Sequence, residues 1–442
     1  MANRGEIAVR IIHTLKEKNI KSVAIYSTAD KDSLHVALAD ESYCIGPASS
    51  SESYLDIDKI LTVAKISQAD AIHPGYGFLA ENAEFVKRCE EEKIKFIGPS
   101  TKLITIMGNK AVARETVENH GLPVIPGSHG FIKNVDEGKR IAKEIGYPIV
   151  VKAVSGGGGK GMRLITDEKD FSRLYSEARQ EAKKSFNDNR IYIEQYITDA
   201  RHIEVQIIGD GKGKAVHLFE RDCSIQNRNQ KMIEEAPAMI LDEETRRYIN
   251  ELTAKVMGEL NYESAGTVEY LYVESEKEFY FMEMNTRIQV EHTVSEMITG
   301  IDIIEQQLEV AFNGGLTIEQ EDIKRNGVAI EVRVNAVDPT NNFVPSPGKI
   351  EQLHFSKGMN VRIDTHIYPG YHISPHYDAM IAKIIVLGNT RAATIAKMKR
   401  VLNETVIGPN KTNLNFQSFL MDHPNYQDNN IGIHFLEDND LL

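Results

Sequence analysis

The sequence predicts a mixed α/β and α+β protein of about three domains: an N-terminal α/β domain on a parallel sheet, a central domain with a lid, and a C-terminal domain on a mixed sheet. Three observations carry this expectation. A chain of 442 residues exceeds what one hydrophobic core serves. The first hundred residues alternate helix and strand patterns, as crossover helices on a parallel sheet do. From residue 202 the pattern changes to long antiparallel strands. The boundaries read as 1–98, 99–310 with a lid over about 125–196, and 327–436.

Residues 6–18 read as a helix with Ile7, Ile11 and Leu15 on one face. A strand follows at 21–27, and strand ends are expected at 71–73 and 96–98. A parallel βα unit normally begins with a strand, yet Met1 stands just before Asn3-Arg4-Gly5 and the helix. That first strand is missing, and each apolar side chain it would bury is worth ~1.5–3 kcal/mol. The expectation is a miscalled start or a damaged product with a weakened N-terminal domain. A helix is predicted over 101–120, followed by the connection Pro123-Val124-Ile125-Pro126-Gly127. Strands at 148–154 and 162–165 flank a glycine loop at 155–161; a helix near 168–186 and a strand at 191–197 complete the lid. Strands at 203–209 and 215–220 flank the turn Asp210-Gly211-Lys212-Gly213. Then come a helix at 243–260 and strands at 267–273 and 278–285. The last block holds strands near 328–336, 361–367 and 379–387, a helix at 391–404 and a polar tail.

Lys and Arg total 51 against 64 Asp and Glu, a formal net charge of −13, which argues against a general nucleic-acid binder. The three cysteines, Cys44, Cys89 and Cys223, are widely spaced and form no CxxC pair, so neither a disulfide framework nor a zinc site is expected. Arg4, Glu6 and Arg10 stand where a signal peptide needs an apolar run. The apolar stretch 379–387 is interrupted by Lys383 and is too short to span a bilayer. A cytoplasmic protein without a membrane partner is expected.

Ser155-Gly156-Gly157-Gly158-Gly159-Lys160-Gly161 lets backbone N–H groups converge on phosphate oxygens. It is not a P-loop, because Gly161 follows Lys160 where Ser or Thr is required. The strand-like residues after it also argue against a dinucleotide fold, which needs a helix there. A glycine loop between antiparallel strands can fold over a nucleotide; a plain hairpin tip is the competing reading. Lys152 lies in an apolar strand and needs an anionic partner if it points inward. Alternation puts Glu283 and Asn285 on one face, and a hairpin through 274–278 sets Glu269 opposite Glu283. Two carboxylates and an amide oxygen suit Mg²⁺, whereas two solvated acids on a surface hairpin are the alternative. In Asn285-Thr286-Arg287-Ile288-Gln289-Val290-Glu291-His292, an extended backbone aims Arg287, Gln289 and Glu291 one way, fit to hold a small anion and take its proton. A structural Arg287–Glu291 salt bridge competes with that reading.

These segments resemble the biotin carboxylase family of ATP-grasp enzymes. So do Ala2-Asn3-Arg4-Gly5-Glu6-Ile7-Ala8, His73-Pro74-Gly75-Tyr76-Gly77-Phe78 and Pro375-His376-Tyr377-Asp378-Ala379-Met380, in order from residue 2 to about 436. The resemblance implies an ATP-grasp core and lid followed by the family's C-terminal domain. The implied activity is carboxylation of biotin on a biotin carboxyl carrier protein, using ATP, bicarbonate and Mg²⁺ or Mn²⁺ through carboxyphosphate. It places Lys110 and Lys152 on the ATP phosphates, with Gly158 and Gly159 above them. Glu194, Gln195, Tyr196 and Ile197 form the hinge strand at the adenine, and Leu271, His202, Gln226 and Asn229 also contact the nucleotide. Glu269, Glu283 and Asn285 match the metal ligands. Lys231, Arg287, Gln289 and Val290 match the bicarbonate pocket, Glu291 its base, and Arg333 with Tyr76 the biotin side.

Three departures stand out. The family commonly has arginine at Asn227 and often histidine at Asn229, which bears on nucleotide affinity. It lacks neither the first strand nor, usually, a proline where Thr293 stands. No Ala-Met-Lys-Met biotin-acceptor motif occurs, so the carrier and carboxyltransferase are expected as separate chains, and the resemblance implies a homodimer. The role implied is the first half-reaction of acetyl-CoA carboxylase in fatty acid synthesis. Two rivals are a non-catalytic paralogue that binds the carrier and another ATP-grasp ligase; residues 287–292 and Arg333 argue against the latter.

Overall fold

The opening helix, Gly5–Glu17, buries Ile7, Ile11 and Ile12 along one face, and Ile7 and Ile11 pack with Ile208, Val216 and Leu218. These coordinates are a computed structural model describing residues 1–128, 130–154, 161–228 and 230–441. The chain divides into two units, one of residues 1–104, 201–268 and 285–442, the other of residues 105–200 and 269–284.

In the first unit no strand precedes the helix among the described residues. Val23–Ser27 pairs in parallel with Glu41–Gly46, and Ala71–Ile72 with Lys95–Phe96, giving two separate two-stranded pieces. Met1 and Ala2 reach both: the Met1 ammonium donates to the Val23 carbonyl (2.9 Å) and the Ala2 N–H to that of His73 (2.9 Å). Ile25, Ile45, Phe85 and Phe96 share the core around these pieces. The Asn3 side-chain amide donates to the carbonyls of Pro74 (2.6 Å) and Tyr76 (2.7 Å). Gly75 has φ +62°, and a Cβ there would lie 2.9 Å from Asn3 Nδ2. The two glycine-containing motifs of the N-terminal region are thus halves of one clasp.

The large sheet of this unit runs in the order Glu263–Val273, Arg201–Asp210, Ala215–Asn227, Gln230–Ala236, Val328–Asn335, Met380–Gly388, Val361–Thr365. The pairings from Arg201–Asp210 onward are antiparallel. Two register pairs matter below: Glu204 faces Arg221, and Glu234 faces Glu331. Helix Glu243–Glu259 is capped by the Asp242 carboxylate on the Thr245 N–H. The segment read as a polar tail carries three helices that the sequence pattern did not predict. Helices Leu414–Asp422, Pro424–Gln427 and Phe435–Asp438 bury Leu420, Met421, Tyr426, Phe435 and Leu436 in the C-terminal core. Sparse apolar residues at helical spacing were enough.

The second unit is built on a three-stranded antiparallel sheet, Met162–Ile165, Ile149–Ala153 and Ile191–Gln195. Helices Val135–Ile145 and Phe171–Phe186 cover it, over a core of Val151, Ile165, Phe171, Ala178 and Ile193. The single helix predicted at 101–120 is two, Thr101–Met107 and Lys110–Asn119. The Asn109 side chain accepts the Ala111 and Val112 N–H groups and starts the second, a capping signal that periodicity alone conceals. The last residues of Glu263–Val273 pair here with Glu278–Asn285, where Tyr272 and Phe279 rings lie 4.6 Å apart. The Phe281 N–H donates to the Pro123 carbonyl (2.8 Å). Among the described residues, no helix is long and apolar enough to cross a membrane.

Candidate active site

In the first unit, a cleft of about 490 Å³ is lined by Tyr76, Gln230, Lys231, Val290, Arg333 and His366, among others. Its charged wall follows from strand register. Lys231 and Glu234 come from Gln230–Ala236, and Arg333 from the neighbouring Val328–Asn335. Glu291 closes the segment that leads into helix His292–Thr299.

Glu291 is the centre of this wall. Its Oε1 accepts from Lys231 Nζ (2.6 Å) and its Oε2 from Arg333 Nη2 (3.0 Å). Burial opposes ionisation of Glu291, but Lys231, Arg333 and Arg221 outweigh it and hold the carboxyl below its ordinary range. Arg333 also donates from Nε to Glu234 Oε1 (2.6 Å). Burial pushes Glu234 up to about 7, against the pull of Arg333 and with the push of Glu291. Lys231 makes a second ion pair with Glu204. Glu204 in turn accepts from Arg221 Nε (2.6 Å), and both of those side chains are fully buried.

Glu204, Arg221 and Glu234 escaped the sequence reading. A signal was present: His202, Glu204 and Gln206 alternate with Ile203, Val205 and Ile207, so one polar face of a buried strand was legible. Thr293 donates its hydroxyl to buried Glu331, which burial raises well above the ordinary carboxylate range. The departure from proline thus supplies a buried acid with a donor.

The segment around Arg287 is irregular rather than extended, and its three polar residues go to different partners. Arg287 Nε donates to Glu81 Oε2 (2.9 Å) and its Nη2 to Asn285 Oδ1 (2.8 Å). Gln289 Oε1 accepts from Arg221 Nη2 (2.7 Å), and the Val290 carbonyl accepts from Lys383 Nζ (2.7 Å). The competing Arg287–Glu291 salt bridge is replaced by Arg287–Glu81 and Glu291–Lys231. Tyr76 donates to Glu6, and Gln226 Nε2 lies 3.1 Å from His202 Nδ1.

In the second unit, Lys152 meets the anion its apolar strand demanded: its Nζ donates to Glu194 Oε2 (2.6 Å) across the antiparallel pair. Arg114 Nη1 reaches Glu194 Oε1 (3.3 Å), while its Nη2 donates to the Ile125 carbonyl (2.6 Å). Gln195 N–H donates to Pro126 O and Tyr196 N–H to Pro148 O, pinning the backbone ahead of Ile197. Lys110, at the start of helix Lys110–Asn119, lies 3.1 Å from Glu283 Oε2. Glu269 is buried and Leu271 half-buried in their strand. Gly158, Gly159 and Asn229 lie outside the described residues. The strands joined by the glycine loop are antiparallel neighbours, with Lys152 opposite Met162. A dinucleotide-binding turn, which runs from strand into helix, does not have that arrangement.

The chain compares with known proteins over its whole length. Residues 1–104 match the family described as Biotin carboxylase, N-terminal domain. Residues 109–319 match Carbamoyl-phosphate synthase L chain, ATP binding domain, and residues 331–438 match Biotin carboxylase C-terminal domain. Biotin carboxylase 1 of Bacillus subtilis is 50% identical over 442 residues, covering 100% of this chain and 98% of that relative. A biotin carboxylase–βγ-ATP complex from Campylobacter jejuni superposes with a TM-score of 0.93 at 49% identity, covering 99% of this chain and 97% of the other. The biotin carboxylase domain dimer of Hydrogenobacter thermophilus 2-oxoglutarate carboxylase, in complex with MgADP, ADP and bicarbonate, gives 0.92 at 45% identity, with coverage of 99% and 96%.

Proposed function

The chain belongs to the biotin carboxylase family, and from that premise we propose that it uses ATP and bicarbonate to carboxylate biotin on a separate carrier protein. It is an ATP-grasp ligase, and the bond it makes joins carbon to nitrogen. The observation that carries this reading is one carboxylate, Glu291, shared by Lys231 and Arg333 at 2.6 and 3.0 Å.

Bicarbonate lodges against Lys231, Arg287, Gln289 and the backbone of Val290. Glu291 takes its proton as a bicarbonate oxygen attacks the γ-phosphorus of ATP. The bond to the β-phosphate oxygen breaks, ADP leaves and carboxyphosphate forms. Lys110 and Lys152, with the backbone of Gly158 and Gly159, stabilise the charge on the moving phosphoryl group. Glu194, Gln195, Tyr196, Ile197, Leu271, His202, Gln226 and Asn229 hold the nucleoside part. Carboxyphosphate then splits at its C–O bond into CO₂ and phosphate. The phosphate takes the proton from biotin N1, and N1 attacks CO₂. Arg333 stabilises the ureido oxygen that gains charge, and Tyr76 lines that side of the cleft.

Glu269, Glu283 and Asn285 offer hard oxygen donors, and Glu283 already has a cation, Lys110, at 3.1 Å. They fit Mg²⁺ or Mn²⁺, which when bound supplies neutralisation of phosphate charge.

The partners in this reading are a biotin carboxyl carrier protein, carboxyltransferase subunits and a second copy of the chain, working in the cytoplasm as the first half of an acetyl-CoA carboxylase. The test is bicarbonate-dependent ATP hydrolysis with free biotin added. Stimulation by both is expected. A folded preparation that hydrolyses no ATP under these conditions would overturn the reading in favour of a non-catalytic carrier-binding paralogue.

A further inference from the structure

We infer that Arg221, which touches neither substrate in the reading above, is a positioning residue that sets the donor polarity of the bicarbonate pocket. The inference rests on that reading of the pocket and deepens it.

Arg221 sits in strand Ala215–Asn227 directly across from Glu204, with its side chain fully buried. A guanidinium has five N–H groups and no acceptor. Five bonds account for them: Nε to Glu204 Oε1 (2.6 Å), Nη1 to Gln206 Oε1 (2.7 Å) and Ser295 Oγ (3.0 Å), Nη2 to Gln289 Oε1 (2.7 Å) and Thr267 Oγ1 (3.1 Å). Burial works against its charge, but Glu204 and Glu291 overcome that cost, so it remains a pure donor.

Every partner of a pure donor must present an oxygen. A carboxamide is nearly symmetric in shape, so packing alone does not choose between its two ends. Arg221 makes the choice for two of them. Gln206 turns its oxygen to Arg221 and its NH₂ to the Gly266 carbonyl (3.0 Å). Gln289 likewise turns its oxygen to Arg221, which directs its NH₂ end away from the guanidinium. That is the end an anion requires; the opposite flip would aim an oxygen at bicarbonate and an NH₂ at a buried cation. Through Glu204, the same guanidinium also anchors Lys231, a second donor. Lysine cannot replace it, because one ammonium does not span the planar fork that meets two amides, a carboxylate and two hydroxyls.

The experiment is steady-state kinetics on the full chain with bicarbonate and ATP varied in turn. Arg221→Lys is expected to raise KM for bicarbonate about 10–100-fold, the factor for losing a charge-assisted hydrogen bond. KM for ATP should stay within about twofold, because a purely structural defect would move both. Gln289→Met should cost bicarbonate affinity in the wild-type background and little more in the Arg221→Lys background, because the amide there is no longer oriented. Should Arg221→Lys fail to fold, Arg221→Met combined with Glu204→Gln removes that ion pair as a unit, leaves Lys231 held by Glu291, and carries the same expectation. An unchanged bicarbonate KM, or strictly additive effects of the two substitutions, overturns the inference. Wild-type protein without bicarbonate-dependent turnover would sink the proposed function instead.

Discussion

Around Glu291, six charged side chains (Glu204, Arg221, Lys231, Glu234, Glu291 and Arg333) are each at most 16% exposed, and most serve two partners at once. In the second unit, Lys110 and Glu283 meet with side chains 51% and 41% exposed, and Lys152 is 30% exposed on Glu194. The first set is dry and committed; the second is wet and can change partners. A small, rigid anion rewards a pocket whose donors are fixed in advance, because little ordering remains to be done on binding. A flexible triphosphate is better met by side chains that can let go of a carboxylate and take a phosphate.

That contrast can be broken most sharply at its centre. Glu291→Gln keeps an oxygen for Lys231 or Arg333 but cannot take a proton. Bicarbonate-dependent ATP hydrolysis should fall about 10²–10⁴-fold in protein that circular dichroism shows to be folded; full activity would remove Glu291 as the base. Glu204→Leu should show what commitment costs. It takes from buried Arg221 its carboxylate partner and leaves Lys231 with Glu291 alone, and urea unfolding is expected to report a loss of about 3–5 kcal/mol. In the second unit, Lys110→Ala should lose less than about 1 kcal/mol of stability while KM for ATP rises. A large stability loss there would erase the distinction between the regions.

The smallest effect is a pH slope. Glu234 rises from an ordinary 4.5 to about 7 in the folded chain. Folded protein therefore binds the proton more tightly than unfolded, and the stability this group contributes is present below 4.5 and lost as pH rises through about 7. Glu234→Gln cannot ionise, so its urea midpoint should improve relative to wild type between about pH 5 and 8. Parallel curves for the two proteins would mean that Glu234 titrates normally.

The same contrast decides what could be read from the residues alone. The hairpin strand Glu278–Asn285 and the strand Met162–Ile165 were legible because alternation and turn residues are local properties. Lys152 was legible as a cation in want of an anion, and in the fold it is half-buried with Glu194 as its partner. The polar face that carries Glu204 was legible as alternation, but its burial against Arg221 was not, because charged residues in a strand look solvent-facing until cross-strand register sets them against each other. Arg287, Gln289 and Glu291 look alike in sequence, yet their irregular backbone sends them to Glu81, Arg221 and Lys231. The C-terminal helices were missed because each carries only a few apolar residues, and their burial is decided by the core they join.

The contacts of the ionic wall also differ in how far apart their residues lie along the chain. Arg221 finds Glu204 only 17 residues back, within adjoining strands, whereas Lys231 waits 60 residues for Glu291 and Glu234 waits 99 for Arg333. On a ribosome the first pair can close early, but Lys231 has no route to Glu291 until the chain has been made past residue 291, and Glu234 none to Arg333 until it has been made past residue 333. The wall is therefore assembled in stages and completed late, and nascent chains halted short of Arg333 should hold the hairpin without the finished pocket.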